Sequence, residues 1–318
     1  MLTFADRLQA AMLTKKSVLC VGIDPQVYFI PPHIKEEMIR TYPDRDEALA
    51  AAFEVFYRPI IEALAPVVPV VKFQAAFWEK SYFACCARER LIQYARELNL
   101  VTITDGKRGD GGDTATAYAQ GHIGEIEYLD GTWGQAPIRV DALTIHGYIG
   151  FDCVDKFVTE IKKHGTGAFV VDKTSFKPNS AIEQLTTERN LKVWEEMAHY
   201  VNLWGEGTEG QNGYRNLGVV MGATKPEDVP RMREILLNGI FLGPGYGGQG
   251  ATADDCALLF NKDGFGAVIN DSRRIGGAWQ KGNYMCDPRE YVGASVRTAM
   301  FARDDLNAAL KRAGKYPF

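Results

Sequence analysis

The sequence predicts an α/β protein, a single-domain (β/α)8 TIM barrel with insertions that spans residues 1–318. Short apolar runs, often rich in valine and isoleucine, alternate with longer amphipathic segments, as expected for parallel strands joined by crossover helices. This β-then-α order occurs eight times, which favours a closed barrel over an open doubly wound sheet, the second choice. Charged residues also follow the carboxyl ends of several runs, where a (β/α)8 barrel carries its active site.

The eight predicted strands are near-continuous apolar runs, the pattern of strands that are buried on both faces. They lie at 17–23, 67–73, 100–104, 142–146, 168–172, 217–221, 239–242 and 266–270. The segments between them are long enough for crossover helices, for example at 47–64, 82–98 and 151–164. The stretches 204–214 and 276–288 are predicted to be insertions and not domain linkers, so we expect no domain boundary.

Composition excludes several classes of function. A formal net charge of −4 offers no basic surface for nucleic acid. No apolar run reaches the roughly 18 residues that a membrane span needs, and the N-terminus lacks the features of a signal peptide. The six cysteines form no C-x-x-C pair and are predicted to be reduced, mostly buried thiols. We therefore expect a soluble, cytoplasmic protein.

The clearest candidate site is the motif Asp105-x-Lys107-x-x-Asp110, which follows the third predicted strand. If the strand stays extended through Lys107, Asp105 and Lys107 point to the same face, because side chains alternate with period two. Asp113 is predicted to cap the next helix. Alone, such a motif is also compatible with a solvated turn that carries ordinary ion pairs.

Two further charges strengthen this prediction. Lys72 lies within the second apolar run, where a solvated lysine is unexpected unless its ammonium reaches the strand end. Asp24 follows the first run. Because the carboxyl ends of barrel strands meet at one rim, we expect both side chains to join Asp105 and Lys107 there.

A candidate phosphate site follows the seventh strand. Closely spaced glycines between Pro244 and residue 250 would let backbone N–H groups approach an anion, and barrel phosphate sites commonly use the loops after strands seven and eight. Gln249 can donate a hydrogen bond, and Arg273 can hold two phosphate oxygens. Pro244, Gly245, Gln249 and Arg273 are therefore the candidate ligands, the loop is a candidate lid, and Arg274 is expected to be structural. The simpler alternative is a flexible glycine-rich loop with a surface arginine.

Together these segments resemble the orotidine 5′-phosphate decarboxylase family, in particular its larger-sized branch. The resemblance rests on DGKRGD at 105–110 followed by Thr114, VGIDP at 21–25, KFQAAFWE at 72–79, GVVMGAT at 218–224, FLGPGYGGQG at 241–250 and NDSR at 270–273. It implies the decarboxylation of orotidine 5′-monophosphate to UMP and carbon dioxide in pyrimidine biosynthesis, without metal or cofactor. In this family Lys72, Asp105, Lys107 and Asp110 would form the catalytic charged array, with Lys107 as the proton donor.

The resemblance also implies further contacts. Asp24 would bind the ribose, and Ser175 the polar edge of the pyrimidine. Asp110 and Thr114 would reach into the site of a neighbouring subunit, so we expect a homodimer with two shared sites.

Two departures from the family pattern concern the base pocket. Gly111 stands where relatives usually have isoleucine, and Phe176-Lys177 interrupts their usual Ser-Asn-Pro. Both predict that the base side of the site differs in shape from that of relatives, while the charged array is kept.

Three alternative functions stay open at this point. A magnesium-dependent sugar-phosphate decarboxylase or aldolase of the same barrel group would share the D-x-K-x-x-D motif, but it would need a carboxylate where this chain has Lys72. A non-catalytic nucleotide-binding barrel would keep the phosphate site without turnover. A metal hydrolase is disfavoured, because the five histidines show neither H-x-H nor H-E-x-x-H spacing.

Overall fold

Eight parallel strands close a barrel at the centre of the molecule. The computed structural model describes residues 2–176 and 181–318. The barrel strands are β1 Leu19–Ile23, β2 Val70–Gln74, β3 Val101–Arg108, β6 Ala142–Ile145, β7 Gly167–Lys173, β8 Arg215–Met221, β9 Gly239–Gly243 and β10 Ala267–Asp271. Each strand pairs with its neighbours in chain order, and β10 closes on β1. The predicted closed barrel and all eight predicted strands are confirmed. The alternative prediction of an open doubly wound sheet is wrong.

Helices surround the barrel: most of them connect consecutive strands, α1 precedes the first strand and α13 follows the last. They are α1 Phe4–Lys15, α2 Pro32–Thr41, α3 Arg45–Leu64, α4 Ala75–Trp78, α5 Tyr82–Glu97, α6 Gly112–Ile123, α7 Phe151–His164, α8 Ala181–Gln184, α9 Val193–Trp204, α10 Val229–Ile235, α11 Ala253–Leu258, α12 Arg273–Gly276 and α13 Tyr291–Arg312. The three crossover helices given as examples correspond to α3, α5 and α7. Their buried faces and the outer face of the barrel form the main hydrophobic core.

The first helix, α1, covers the end of the barrel at which the strands begin. Phe4 packs edge-to-face on Phe169 of β7, with ring centroids 5.7 Å apart. The backbone N–H of Ala5 donates to Asn216 at the start of β8 (2.7 Å), and Asp6 accepts from the N–H of Asn212 (3.1 Å). The stretch 204–214, predicted to be an insertion, therefore fastens α1 against the barrel.

Two features differ from the sequence prediction. A short antiparallel hairpin, β4 Glu125–Glu127 with β5 Trp133–Gln135, lies between α6 and β6 and was not predicted. Asp113 is not the cap of α6, because the helix already begins at Gly112 and the capping position is Gly111. Gly112 has a φ of +54°, which glycine adopts without steric cost, so the chain can turn into the helix early.

The cysteines and helices of the structure bear on two of the expectations from composition. All six cysteines are free, and Cys20, Cys153 and Cys256 are buried. Within the described ranges, no helix combines the length and apolar composition that crossing a bilayer requires. The cytoplasmic location and the single-domain division stay predictions.

We expect Arg233 of α10 to be a major determinant of stability. Its guanidinium lies 3.5 Å from the ring centroid of Phe241 and donates to backbone carbonyls that include those of Gly239 (2.7 Å) and Gly266 (2.9 Å). Arg233→Ala would remove these hydrogen bonds and the contact with the Phe241 ring, and should lower the free energy of unfolding in urea by about 3 kcal/mol or more.

Arg231→Ala on the same helix is the matched control. Arg231 is exposed and forms surface ion pairs with Glu195 and Glu234, so its loss should change the same free energy by about 1 kcal/mol or less. Equal effects of the two substitutions would contradict this view of Arg233.

Candidate active site

A cavity of about 410 Å³ opens at the carboxyl ends of the barrel strands. Most of the residues predicted from sequence line it: Asp24, Lys72, Asp105, Lys107, Ser175, Pro244, Gly245, Gln249 and Arg273. Asp110 and Thr114 do not line it and are exposed at the start of α6. The structure therefore brings together every predicted site residue except the two that the family resemblance assigns to a neighbouring subunit.

The Asp105 carboxylate is the hub of the charged cluster. Oδ1 accepts from Lys107 Nζ (2.6 Å) and from the Thr144 hydroxyl (2.8 Å). Oδ2 accepts from Lys72 Nζ (3.2 Å) and from Gln74 Nε2 (2.9 Å). Two cations and two neutral donors thus fix both oxygens of one acid.

These contacts keep the cluster ionised. Burial alone would raise the pKa of Asp105, but Lys72 and Lys107 outweigh it and hold that pKa well below its usual range. Burial would likewise lower the pKa of Lys72, yet Asp105 and Asp24 raise it above the ordinary value. A buried carboxylate and a buried ammonium therefore coexist at neutral pH.

Lys107 meets Asp105 for a reason that differs from the predicted one. The backbone of Lys107 is left-handed, with a φ of +47°, and the pairing of β3 with β6 shifts register between Thr104 and Arg108. The expectation of a continuously extended strand was therefore wrong. The N–H of Lys107 donates to the Thr144 hydroxyl (2.9 Å), which stabilises this conformation. A non-glycine residue in this region costs about 1–3 kcal/mol, so the surrounding contacts must impose it.

Asp24, directly after β1, has an unused acceptor. Its Oδ1 is buried and finds no hydrogen-bond donor among the described residues. The Tyr57 hydroxyl donates to the Asp24 carbonyl (2.9 Å) and holds its backbone. Buried carboxylate oxygens are normally paired, so Asp24 is suited to a ligand hydroxyl inside the cavity.

The glycine-rich loop after β9 is braced from behind. Gly245 has a φ of +117°, which turns the chain sharply. The next residue, Tyr246, is buried, and its ring lies 4.4 Å from the guanidinium carbon of Arg274. Arg274 Nε donates to Asp271 Oδ2 (2.8 Å). Arg274 thus supports the loop instead of lining the cavity, in keeping with its predicted structural role.

Arg273, in contrast, faces the cavity. It forms no ion pair with any residue in the described part of the chain, and it is exposed. A Cβ built on Gly248 would lie 3.8 Å from Arg273 Nη2, so the arginine and the glycine-rich loop face each other. Their arrangement offers an uncommitted cation beside backbone that an anion can approach closely.

The end of β7 supplies the remaining wall. Thr174, Ser175 and Phe176 line the cavity, and the Ser175 carbonyl accepts from the Thr224 hydroxyl (2.9 Å). Ser175 is buried, whereas Phe176 is largely exposed. Lys177 and the proline after it lie outside the described residues. A Cβ built on Gly111 would meet no other atom within 4 Å, so the missing isoleucine leaves open space in this chain.

Sequence reasoning missed Gln74 and Thr144, the two neutral donors to Asp105. Gln74 could have been found, because it lies two residues after Lys72 and therefore on the same face of β2. Thr144 carries no such signal, since threonine is common in strands and its partner is 39 residues away in the chain.

A family model described as "Orotidine 5'-phosphate decarboxylase / HUMPS family" matches residues 17–277. The chain belongs to this family. The orotidine 5′-phosphate decarboxylase of Rhodopirellula baltica is 37% identical over 276 residues, which are 86% of this chain and 88% of the relative. That of Caldicellulosiruptor saccharolyticus is 35% identical over 315 residues, 98% of this chain and 100% of the relative. The structure of Leishmania donovani OMP decarboxylase superposes with a TM-score of 0.70 at 26% identity, covering 96% and 98% of the two chains.

The ionised state of Asp105 should be visible in the pH dependence of stability. A carboxyl with a lowered pKa stabilises the fold above its unfolded value, about 3.9, and loses this effect as the pH falls through the folded pKa. The difference in unfolding free energy between wild type and Asp105→Asn should therefore be largest near neutral pH and shrink below about pH 4.

Urea unfolding at a series of pH values measures this difference. Asp304→Asn is the control, because Asp304 is an exposed carboxyl paired with its neighbour Arg303. A gap between wild type and Asp105→Asn that stays constant from pH 7 to pH 3 would show that Asp105 is not held ionised by its neighbours.

Proposed function

We propose that this chain is a carboxy-lyase that converts orotidine 5′-monophosphate to UMP and carbon dioxide in pyrimidine biosynthesis, without metal or cofactor. The observation that carries the proposal is the hydrogen-bonded array of Lys72, Asp105 and Lys107 in one cavity with Arg273 and the glycine-rich loop. A nucleotide with a carboxylate at one end and a phosphate at the other matches these two features. The family and the names of the relatives support the same substrate.

Binding of the substrate would use the residues that the charged array leaves free. Arg273 and Gln249, with backbone N–H groups near Gly245, would hold the phosphate. Asp24, with its unused Oδ1, would accept a hydrogen bond from a ribose hydroxyl. Ser175 would face the polar edge of the pyrimidine. Binding energy from the remote phosphate can then be used to hold the reacting carbon against Asp105 and Lys107.

The chemistry follows from the charges around the reacting carbon. Asp105 would lie near the substrate carboxylate, and two like charges about 4 Å apart repel by roughly 4 kcal/mol at an effective dielectric near 20. Cleavage of the C–C bond releases carbon dioxide and leaves the electron pair on the ring carbon. The Lys107 ammonium stabilises this developing charge and transfers a proton to the carbon, which gives UMP.

Lys72 argues against the magnesium-dependent alternative. Its ammonium lies 3.2 Å from Asp105 Oδ2 and is almost wholly buried, so a positive charge already occupies the space beside that carboxylate. A divalent cation on Asp105 would meet strong repulsion there.

We expect Lys107→Ala to reduce turnover of orotidine 5′-monophosphate by about a hundredfold or more, because it removes the proton donor. The fall in substrate absorbance is measured with EDTA present. Lys163→Ala, which alters an exposed lysine at the far end of α7, is the control and should retain full turnover.

Three outcomes would contradict the proposal in different ways. Undiminished turnover by Lys107→Ala would refute the proton donor. Activity that EDTA abolishes and magnesium restores would favour the metal-dependent alternative. Binding of UMP without any turnover by the wild type would favour the non-catalytic alternative.

We also propose that the protein is a homodimer with shared sites. Asp110 and Thr114 lie outside the cavity of their own chain. The neighbouring loop before α7 exposes Tyr148 and Ile149, at 88% and 57%, together with Phe151 at 51%. Exposed apolar side chains next to an exposed acid suit a surface that a second copy covers.

Mixing two inactive variants tests the shared site. In a heterodimer of Lys107→Ala with Asp110→Ala, one site carries both substitutions and the other carries neither. Random exchange in a 1:1 mixture should therefore restore about a quarter of wild-type turnover. Activity that never exceeds the mean of the two separate variants would refute sharing, and Lys107→Ala mixed with itself is the control.

A further inference from the structure

The turn that carries Lys107 is held from outside the cavity by its neighbour Arg108. Nη1 of Arg108 donates to the carbonyl of Gly106 (2.9 Å), so the residues on both sides of Lys107 are joined. Nη2 of the same guanidinium pairs with Glu79. Neither Arg108 nor Glu79 lines the cavity, and neither has a role in the proposed binding or proton transfer.

Glu79 is well placed to fix this turn relative to the second strand. It directly follows α4, which begins one residue after Gln74, the donor to Asp105. Glu79 therefore joins the segment that carries Lys72 and Gln74 to the turn that carries Lys107.

Arg88, Tyr118 and His122 lie around the pair. Arg88 of α5, which is 5% exposed, approaches Glu79 to 3.7 Å. Burial, together with Arg108 and Arg88, lowers the pKa of the nearby His122 to about 4, so this histidine is neutral above that pH. The Tyr118 ring lies 5.6 Å from the Arg108 guanidinium. Within the described residues, Glu79 is the carboxylate that pairs with both arginines.

We propose that Glu79 and Arg108 are positioning residues that impose the left-handed backbone at Lys107 and so hold its ammonium against Asp105. The proposal rests on the proposed function, because its effect is on the proton donor. Inside the barrel, Thr144 accepts the N–H of Lys107. Outside it, Arg108 fixes the preceding carbonyl. Without the contact between Arg108 and the Gly106 carbonyl, the backbone at Lys107 can relax towards an ordinary extended strand. The partly exposed side chain of Lys107 would then start from a different backbone conformation, and its ammonium would no longer be held against Asp105.

The test is Glu79→Gln, which keeps the size of the side chain and removes its charge. We expect kcat for orotidine 5′-monophosphate to fall by about ten- to a hundredfold, since small displacements of a reacting group have effects of this size. KM and the affinity for UMP, measured by calorimetry, should stay within about threefold, because the ligand contacts lie on other loops.

Glu54→Gln is the matched control. Like Glu79, Glu54 pairs with an arginine: its Oε2 accepts from Nε (2.9 Å) and Nη2 (2.7 Å) of Arg90, but it does not line the cavity. It should leave kcat unchanged. Arg108→Lys is the second variant: a lysine can still pair with Glu79, but it cannot span both Glu79 and the Gly106 carbonyl, so kcat should again fall while KM holds.

The outcomes separate this inference from the proposed function. If the wild type turns over the substrate and Lys107→Ala does not, the function stands, and unchanged kcat in folded Glu79→Gln and Arg108→Lys overturns the positioning role. A loss of UMP affinity in step with kcat would also overturn it, as would failure of both variants to fold, because the pair would then support the whole barrel mouth. Absence of turnover in the wild type would instead refute the function.

Discussion

The organisation of the active site depends on one buried carboxylate, that of Asp105. Its four donors come from three adjacent strands, β2, β3 and β6. An unpaired carboxylate in this position would be strongly unfavourable, so the strands must be in the register that delivers these donors. The observed pairing of Gln74 with Asp105 across β2 and β3 satisfies that condition. The register of the barrel strands and the charged array therefore depend on each other, and both are established when the chain folds, before any substrate binds.

This constraint has a consequence for the chemistry. Taking the carboxylate of Asp105 and the ammonium of Lys72 out of water is unfavourable in isolation, and the folding of the whole barrel offsets this cost. When a substrate carboxylate enters, the charges need no large reorganisation to act on it. The left-handed backbone at Lys107 belongs to the same preorganisation, because contacts on both sides of β3 maintain a conformation that the residue alone would avoid.

The sequence predicts the fold well because parallel barrel strands are buried on both faces and so appear as continuous apolar runs. The sequence also predicts much of the charged array, because a charged residue such as Lys72 stands out within a continuous apolar run. It fails where structure depends on distant partners or on short elements without a buried face. The hairpin of β4 and β5 has half-buried or exposed residues throughout, and so leaves no apolar period. The backbone of Lys107 depends on Thr144, 37 residues away, which no local pattern reveals.

At each end of the cavity, two consecutive basic residues lie at the carboxyl end of a barrel strand and divide their roles in the same way. After β3, Lys107 faces the cavity while Arg108 braces the turn from outside. After β10, Arg273 faces the cavity while Arg274 braces the glycine-rich loop through Asp271 and the Tyr246 ring. In each case the first cation is available to the substrate because the second supplies the structural contacts. In the glycine-rich loop, the contact of Arg274 with the Tyr246 ring holds the start of the loop in place. Any closure of the loop over a phosphate is therefore confined to the residues after Tyr246, up to residue 250.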